Sequence, residues 1–346
     1  MSGRGPAARE PFSSERISPS RVNAYLTCGV AFEMKYIQGL PEQASGSSAL
    51  FGSVCHEALE KWAVNREQDL VQLMSQAWLS VTEGTPVAGF IGAYQSLSVR
   101  AMKKEQEIRN DWAANGKESK APRMTAAWKH SDIAKEIEAL LAKWLPKLRA
   151  ESPWKFSDRD PLPTLYDESL ILAKKYARKW GHLDNALYTE FGFNVDWRGF
   201  VLHGYIDTIE AVYGDDYMLE AYLVNDYKTY RAEPAEQKDW RQVVIYDVAI
   251  RDLIERGALD LDPTVPIRVC LDYVRLLERR YWQIGEADHE QLFKELTMYR
   301  KGVDAEVFLP ASKNQNPDFC PFPENCCMRT KGEGLGSRIE MNQEAD

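Results

Sequence analysis

Residues 203–230 read HGYIDTIEAVYGDDYMLEAYLVNDYKTY, and this stretch decides the fold. Apolar and polar residues alternate on both sides of Tyr213-Gly214-Asp215-Asp216, a turn composition, so the segment reads as a β-hairpin. Side chains alternate along a strand, which puts His203, Tyr205 and Asp207 on one face. Asp226 and Lys228 are two apart and share a face by the same rule. The turn brings Asp207 and Asp226 within a few residues of register, so two carboxylates and a lysine converge on one patch. A carboxylate pair suits a hard divalent cation such as Mg²⁺ while leaving coordination positions open to water and to a phosphate oxygen. A lysine beside it can orient the attacking water or stabilise charge on a pentacovalent phosphorus. The plainer alternative is the solvated face of a half-covered sheet, because a single D-x-K is common.

Working outward, Tyr188–Trp197 reads as a strand before the hairpin, separated from it by Trp197-Arg198-Gly199. After the hairpin a long helix is predicted from about Ala235 to Arg256, ending at Gly257, a favourable C-terminal cap. Ile267–Leu276 and Arg280–Ile284 read as further strands. The core is therefore β-β-β-α-β. Upstream, residues 65–185 carry a helical pattern rich in Lys, Glu and Trp, broken at Pro153, Pro161 and Pro163. Ser18-Pro19 opens a first helix, with Val22, Tyr25, Leu26 and Phe32 as its apolar positions. A loop containing Pro41, Gly46, Ser47 and Ser48 precedes a second helix, from about Leu50 through Trp62.

The 346 residues suffice for a sizeable core, and 44% hydrophobic with 27% charged is a globular composition. A net charge of -9 argues against coating nucleic acid by bulk electrostatics, but not against an enzyme that needs carboxylates for metal and a local basic path. Basic groups occur at Lys143, Lys147 and Arg149, at Lys174, Lys175, Arg178 and Lys179, and at Lys117, Lys120, Arg123 and Lys129. No apolar run approaches the roughly 20 residues that span a bilayer. The start, MSGRGPAAREPFSSER, lacks the apolar region of a secretory signal, so an intracellular location is expected.

Five pieces in order carry a family resemblance: Ser18-Pro19-Ser20-Arg21-Val22 through Cys28; Phe51-Gly52-Ser53-Val54-Cys55-His56; GYIDTI; VNDYKTY; and Gln242-x-x-x-Tyr246. Together they resemble the RecB-like branch of the PD-(D/E)XK nuclease superfamily, whose relatives include CRISPR-associated adaptation nucleases and exonuclease V. The resemblance implies an α/β fold, a restriction-endonuclease-like mixed sheet flanked by helices, with an inserted helical subdomain. It implies a Mg²⁺- or Mn²⁺-dependent deoxyribonuclease, an exonuclease acting on DNA ends or single strands in recombination, repair or phage and CRISPR DNA processing. Asp207, Asp226 and Lys228 would be catalytic. His56 would join Asp207 and Asp226 on the metal, with Glu190 as a further carboxylate. Gln242 and Tyr246, one helical turn apart, would line the site or contact DNA.

Many members of the branch bind a [4Fe-4S] cluster through four cysteines, one early and three late. Cys28 matches the early position, and Cys320, Cys326 and Cys327 supply late thiols, although Pro317 stands where the family's second cysteine would be. A cluster on Cys28, Cys320, Cys326 and Cys327, a structural zinc, or no metal are the three readings open here. Cys55 and Cys270 sit in apolar stretches and read as core.

The expected organisation is a disordered lead-in over 1–15, N-terminal nuclease helices over 16–64, a helical insertion over 65–185, the nuclease core with its cysteine region over 186–330, and a flexible tail over 331–346. Trp112, Trp128, Trp144, Trp154 and Trp180 in the insertion are interleaved with the basic groups. They read either as core packing or as a single-strand channel. With no G-x-x-x-x-G-K-[ST] loop, a helicase, recombination or CRISPR partner would be another chain. Two other classes compete: a DNA-binding scaffold with a vestigial site, against which the intact charged set argues, and a small-molecule metallohydrolase, whose His-rich motifs are missing.

Overall fold

The 203–230 hairpin is the centre of a mixed six-stranded sheet. The structure, a computed structural model, describes residues 13–40, 42, 45–114, 132–156, 160–232, 239–311 and 320–322. In chain order its elements are β1 (Arg16–Ile17), α1 (Pro19–Thr27), α2 (Gly29–Phe32, continued by a π-helical turn over Glu33–Ile37), β2 (Ser45–Gly46), α3 (Ser47–Val64) and α4 (Leu70–Val81). There follow α5 (Pro86–Ala114), α6 (Asp132–Glu151), β3 (Trp154–Lys155), α7 (Leu162–Trp180), β4 (Tyr188–Trp197), β5 (Phe200–Tyr213) and β6 (Leu219–Lys228). The chain closes with α8 (Trp240–Glu255), β7 (Ile267–Tyr273), β8 (Glu278–Trp282) and α9 (Glu286–Asp304).

Strand order is β1-β5-β6-β7-β8, with β4 on the other edge of β5. β4 lies antiparallel along β5 from Tyr188↔Ile209 to Trp197↔Phe200. The opposite edge of β5 is shared: β1 runs parallel to it at Val201 and Leu202, and β6 runs antiparallel to it from Thr208 onward. Residues 203–207 of β5 therefore face a break between two partner strands, and that break opens the sheet where the sequence places its carboxylates.

One layer of the core packs Phe193, Val195, Leu202, Ile206, Ile209, Val224 and Val269 against α8 and α9, through Val244, Ile250, Leu292, Leu296 and Tyr299. A second core joins α3 (Leu50, Phe51, Leu59, Trp62) to α4, α5 and α7 and reaches the sheet through Tyr227 and Val274. The helices from 70 to 180 thus share their core with α3. Trp144, Trp154 and Trp180 are partly buried against that core. Trp128, the Trp112 side chain and the Lys117, Lys120, Arg123 and Lys129 group lie outside the described residues.

Local signals meet the structure with instructive exceptions. Ser18 caps α1, its hydroxyl accepting from the Arg21 amide, and Pro19 takes the first turn. Gly257 follows α8 at φ +66, a left-handed conformation that glycine adopts without steric cost. The first helix, however, breaks at Cys28, which is extended (φ -158, ψ 101), so the Val22–Phe32 stripe spans two helices. Leu26 is 49% exposed because it faces the break in the sheet rather than the core. The second helix starts at Ser47, three residues before the apolar pattern.

Gly29, the first residue of α2, shows why that helix must restart there. Its amide donates to Leu309 O at 2.7 Å, and a Cβ on it would lie 2.7 Å from Leu309 N. Backbone cannot swing aside as a side chain can. Gly29→Ala is expected to destabilise the fold by roughly 1–3 kcal/mol in urea unfolding, and an unchanged midpoint would show that the 307–309 segment yields instead.

Candidate active site

The break in the sheet is closed by side chains that take over the missing ladder bonds. Continuing the Thr208↔Asn225 register by one residue sets Asp207 opposite Asp226. There Asp207 Oδ2 accepts from the Tyr227 amide at 2.6 Å, and the Tyr246 hydroxyl reaches the Tyr205 carbonyl at 2.8 Å. Two backbone groups at the break, the Tyr227 amide and the Tyr205 carbonyl, thereby gain side-chain partners.

Asp226 is 4% exposed. Its Oδ1 accepts from Gln242 Nε2 at 2.7 Å and lies 3.0 Å from the Tyr246 hydroxyl, while Lys228 Nζ stands 2.7 Å from its Oδ2. Gln242 turns its other atom outward, Oε1 accepting from Lys228 Nζ at 2.6 Å, and its Nε2 also donates to the Tyr246 oxygen at 2.6 Å. One amide on α8 therefore holds the carboxylate and the ammonium of the sheet at once. The one-turn spacing of Gln242 and Tyr246 presents both to Asp226.

Burial raises the pKa of Asp226, and the Asp207 charge adds to it, against the opposing pull of Lys228. For Lys228 burial works against the ammonium, but the adjacent Asp226 carboxylate outweighs it and holds the pKa above the usual lysine range. Burial and the two carboxylates keep Tyr246 a phenol, its pKa well above the ordinary value.

His56 comes from α3, whose long axis crosses the break. Its Nδ1 lies 3.4 Å from Asp207 Oδ2 and 3.8 Å from Glu60 Oε1, and its ring meets the Tyr227 ring edge-on at 5.9 Å. Burial disfavours its charged form, but the ring's donation to Asp207 and Glu60 and the charges of Asp207 and Asp226 overcome this, raising its pKa to about 10. His56, Glu60 and Asp207 offer ligand atoms all within 4.8 Å of one another. An imidazole with two carboxylates is a donor set that suits a divalent cation.

Six of the residues singled out in the sequence, Asp207, Asp226, Lys228, His56, Gln242 and Tyr246, meet at this point. Glu190 stands apart from the compact set. It is exposed, held at φ +46 on β4, and lines the recess beside His56, where its charge helps raise the pKa of Glu60 after burial. Glu60 is the residue that the sequence reading passed over. Its signal was the i,i+4 spacing from His56, which puts both on one side of α3.

Two recesses flank the site. One, of about 890 Å³, is lined by Ser18, Asn23, Leu26, His203, Lys228 and Gln242 among others. His203 there stays neutral, its pKa pushed down to about 4 by burial and by Arg16 and Arg21. The other, of about 1060 Å³, runs along α3 past His56, Glu57, Glu60 and Lys61. Tyr205 lines both. Cys28 and Cys320 lie together at a small cluster of Val30, Met34, Leu40 and Phe322, away from this site. Cys326 and Cys327 lie outside the described residues, so two thiols of the four-cysteine set are placed and no iron–sulfur ligation follows from them. Among the described residues no helix is long and apolar enough to cross a membrane.

Comparison with known proteins gives the family. The family described as the PD-(D/E)XK nuclease superfamily matches residues 16–327. Among solved structures, a Eubacterium rectale protein assigned as an exonuclease is 10% identical, covering 59% of this chain and 76% of its own at a TM-score of 0.29, a likeness too slight to bear on activity. No curated protein matches. With carboxylates, lysine and glutamine gathered at a broken sheet edge, and a family match running from β1 to the cysteine region, the chain belongs to the PD-(D/E)XK nuclease superfamily.

Proposed function

We propose that this protein is a Mg²⁺- or Mn²⁺-dependent deoxyribonuclease that hydrolyses DNA phosphodiester bonds as an exonuclease at ends or on single strands. The observation that carries the reading is the convergence of Asp207, Asp226 and Lys228 where β5 and β6 part, open to recesses on both sides. Asp207, Asp226, His56 and Glu60 would hold the cation, with Glu190 at the rim as a further carboxylate. Bound there, a divalent ion supplies Lewis-acid neutralisation of charge at phosphorus and makes water more acidic. Lys228, oriented by Asp226 and Gln242, directs its ammonium at the attacking water and at the oxygens that gain charge as the P–O bond breaks. Tyr246 and Gln242 keep Asp226 in place through that change. Recombination, repair and phage or CRISPR processing are the settings that suit this chemistry, with any helicase on a separate chain.

The test is degradation of end-labelled single- and double-stranded DNA with Mg²⁺, Mn²⁺ or EDTA. Cleavage with either metal and none in EDTA is the expected result, and the product ladder gives polarity. Retained DNA binding without cleavage under any metal would instead favour a scaffolding subunit. In the same assay Gln242→Ala is expected to lower activity by about 10–100-fold, the usual cost of removing a partner that orients a metal-bound or catalytic group. Activity equal to wild type would mean that Tyr246 alone positions Asp226.

A further inference from the structure

We propose that Tyr205 is a base-stacking platform that places an unpaired nucleotide over the site and so selects single-stranded or frayed DNA. The inference rests on the nuclease reading and adds the class of substrate. Tyr205 is 63% exposed, a large aromatic face left in solvent at the centre of a charged site. It lines both recesses and so stands at their junction, two residues before Asp207.

The ring has a seat. Tyr205 is paired with Gly192 on β4, and a Cβ at Gly192 would lie 3.1 Å from Tyr205 Cε1, so the ring lies across the place where a side chain would stand. Its backbone is pinned as well, since its carbonyl takes the Tyr246 hydroxyl that also adjoins Asp226. The tyrosine hydroxyl makes no hydrogen bond to a described residue, so polar anchoring does not account for the ring's position. A rigid aromatic face loses little conformational freedom on binding, which favours its use as a recognition surface. Every base has a π-face, so such a platform tolerates any sequence but needs a base freed from its pair.

The charge around it is asymmetric. The first recess holds Lys228 and Arg241 with Asp239 and the neutral His203, whereas the second holds Glu57, Glu60, Glu190 and Asp207 beside His56 and Lys61. Phosphates of the strand are thus best accommodated on the Lys228 side, and the base stacked on Tyr205 sets which phosphate meets Asp207 and Asp226.

The decisive measurement is affinity for a short fluorescent single-stranded oligonucleotide in Ca²⁺, with one abasic position moved along the strand, for wild type, Tyr205→Ala and Tyr205→Phe. Stacking of one base on one ring predicts about a tenfold loss for Tyr205→Ala and little change for Tyr205→Phe. In wild type one abasic position costs about tenfold, and in Tyr205→Ala the same position costs nothing further, as expected of two groups that act only through each other. An abasic penalty undiminished in Tyr205→Ala, wild-type affinity in that variant, or no single-strand binding by wild type would each overturn the proposal. Binding with the predicted pattern but without cleavage in Mg²⁺ or Mn²⁺ would uphold stacking and defeat the nuclease reading, so the two fail separately.

Discussion

Lys228→Met is expected to lower metal-dependent cleavage by about 10²–10³-fold, the usual cost of removing one preorganised group from developing charge, with the loss in kcat rather than KM. The same change should also destabilise the protein. Lys228 Nζ is the only cation within bonding distance of Asp226 among the described residues, and Asp226 is buried. Removing the ammonium leaves a buried carboxylate held only by Gln242 and Tyr246, which is far costlier than removing a whole pair. The double variant Asp226→Asn, Lys228→Met should therefore be more stable than Lys228→Met in urea unfolding while remaining inactive. A Lys228→Met protein with wild-type turnover would remove Lys228 from the chemistry. A double variant less stable than the single would show that Gln242 and Tyr246 satisfy the buried carboxylate without the lysine.

Arg279→Met should cost roughly 3–5 kcal/mol of stability, the range for breaking a buried ion pair on one side. Arg279 on β8 reaches Glu210 Oε2 at 2.9 Å and Asp272 Oδ2 at 2.8 Å, while Arg66 Nη2 reaches Glu210 Oε1 at 2.5 Å and the Tyr176 hydroxyl donates to Asp272. All four charged side chains are at most 6% exposed. The network stitches the loop after α3 and helix α7 to β5, β7 and β8, on the far side of the sheet from α8. Without Arg279, Glu210 keeps Arg66, but the buried Asp272 is left with the Tyr176 hydroxyl.

The pH dependence has a definite sign. Burial already raises the pKa of Asp272 above its ordinary value, against the pull of Arg279, and deleting that arginine raises it further. A carboxyl whose folded pKa lies above its unfolded one binds more protons when folded, so its folded state loses stability as pH rises. The stability gap between Arg279→Met and wild type should hence be smaller at mildly acidic than at neutral pH, read from urea midpoints. A gap independent of pH would mean that solvent reaches Asp272 once the arginine is gone.

Much of the site was legible because it is local. The alternation around Asp207, the two-residue step from Asp226 to Lys228 and the four-residue step from Gln242 to Tyr246 are short periodicities, and the geometry of strand and helix turns each into a shared face. The Ser18 cap and the stop at Gly257 are local in the same sense. The matches fail where distance along the chain enters. Glu60 enters the site only through the fold, which sets it with His56 beside Asp207, and Glu190, one strand from Asp207, stands outside that compact set at a positive φ.

By itself, then, the sequence determined the hairpin and its neighbouring strands and brought Asp207, Asp226 and Lys228 to one patch, within a few residues of register, since backbone periodicity and turn chemistry act over short distances. Tertiary structure alone decided that β1 and β6 divide one edge of β5 and leave Tyr205 and Asp207 in the break, that α3 adds Glu60 to His56, and that Arg66 meets Glu210 across 144 residues of chain. Those contacts depend on which layers cover which face of the sheet. That is settled by burying apolar surface over the whole molecule and by pairing every charge that the burial traps, not by any one segment.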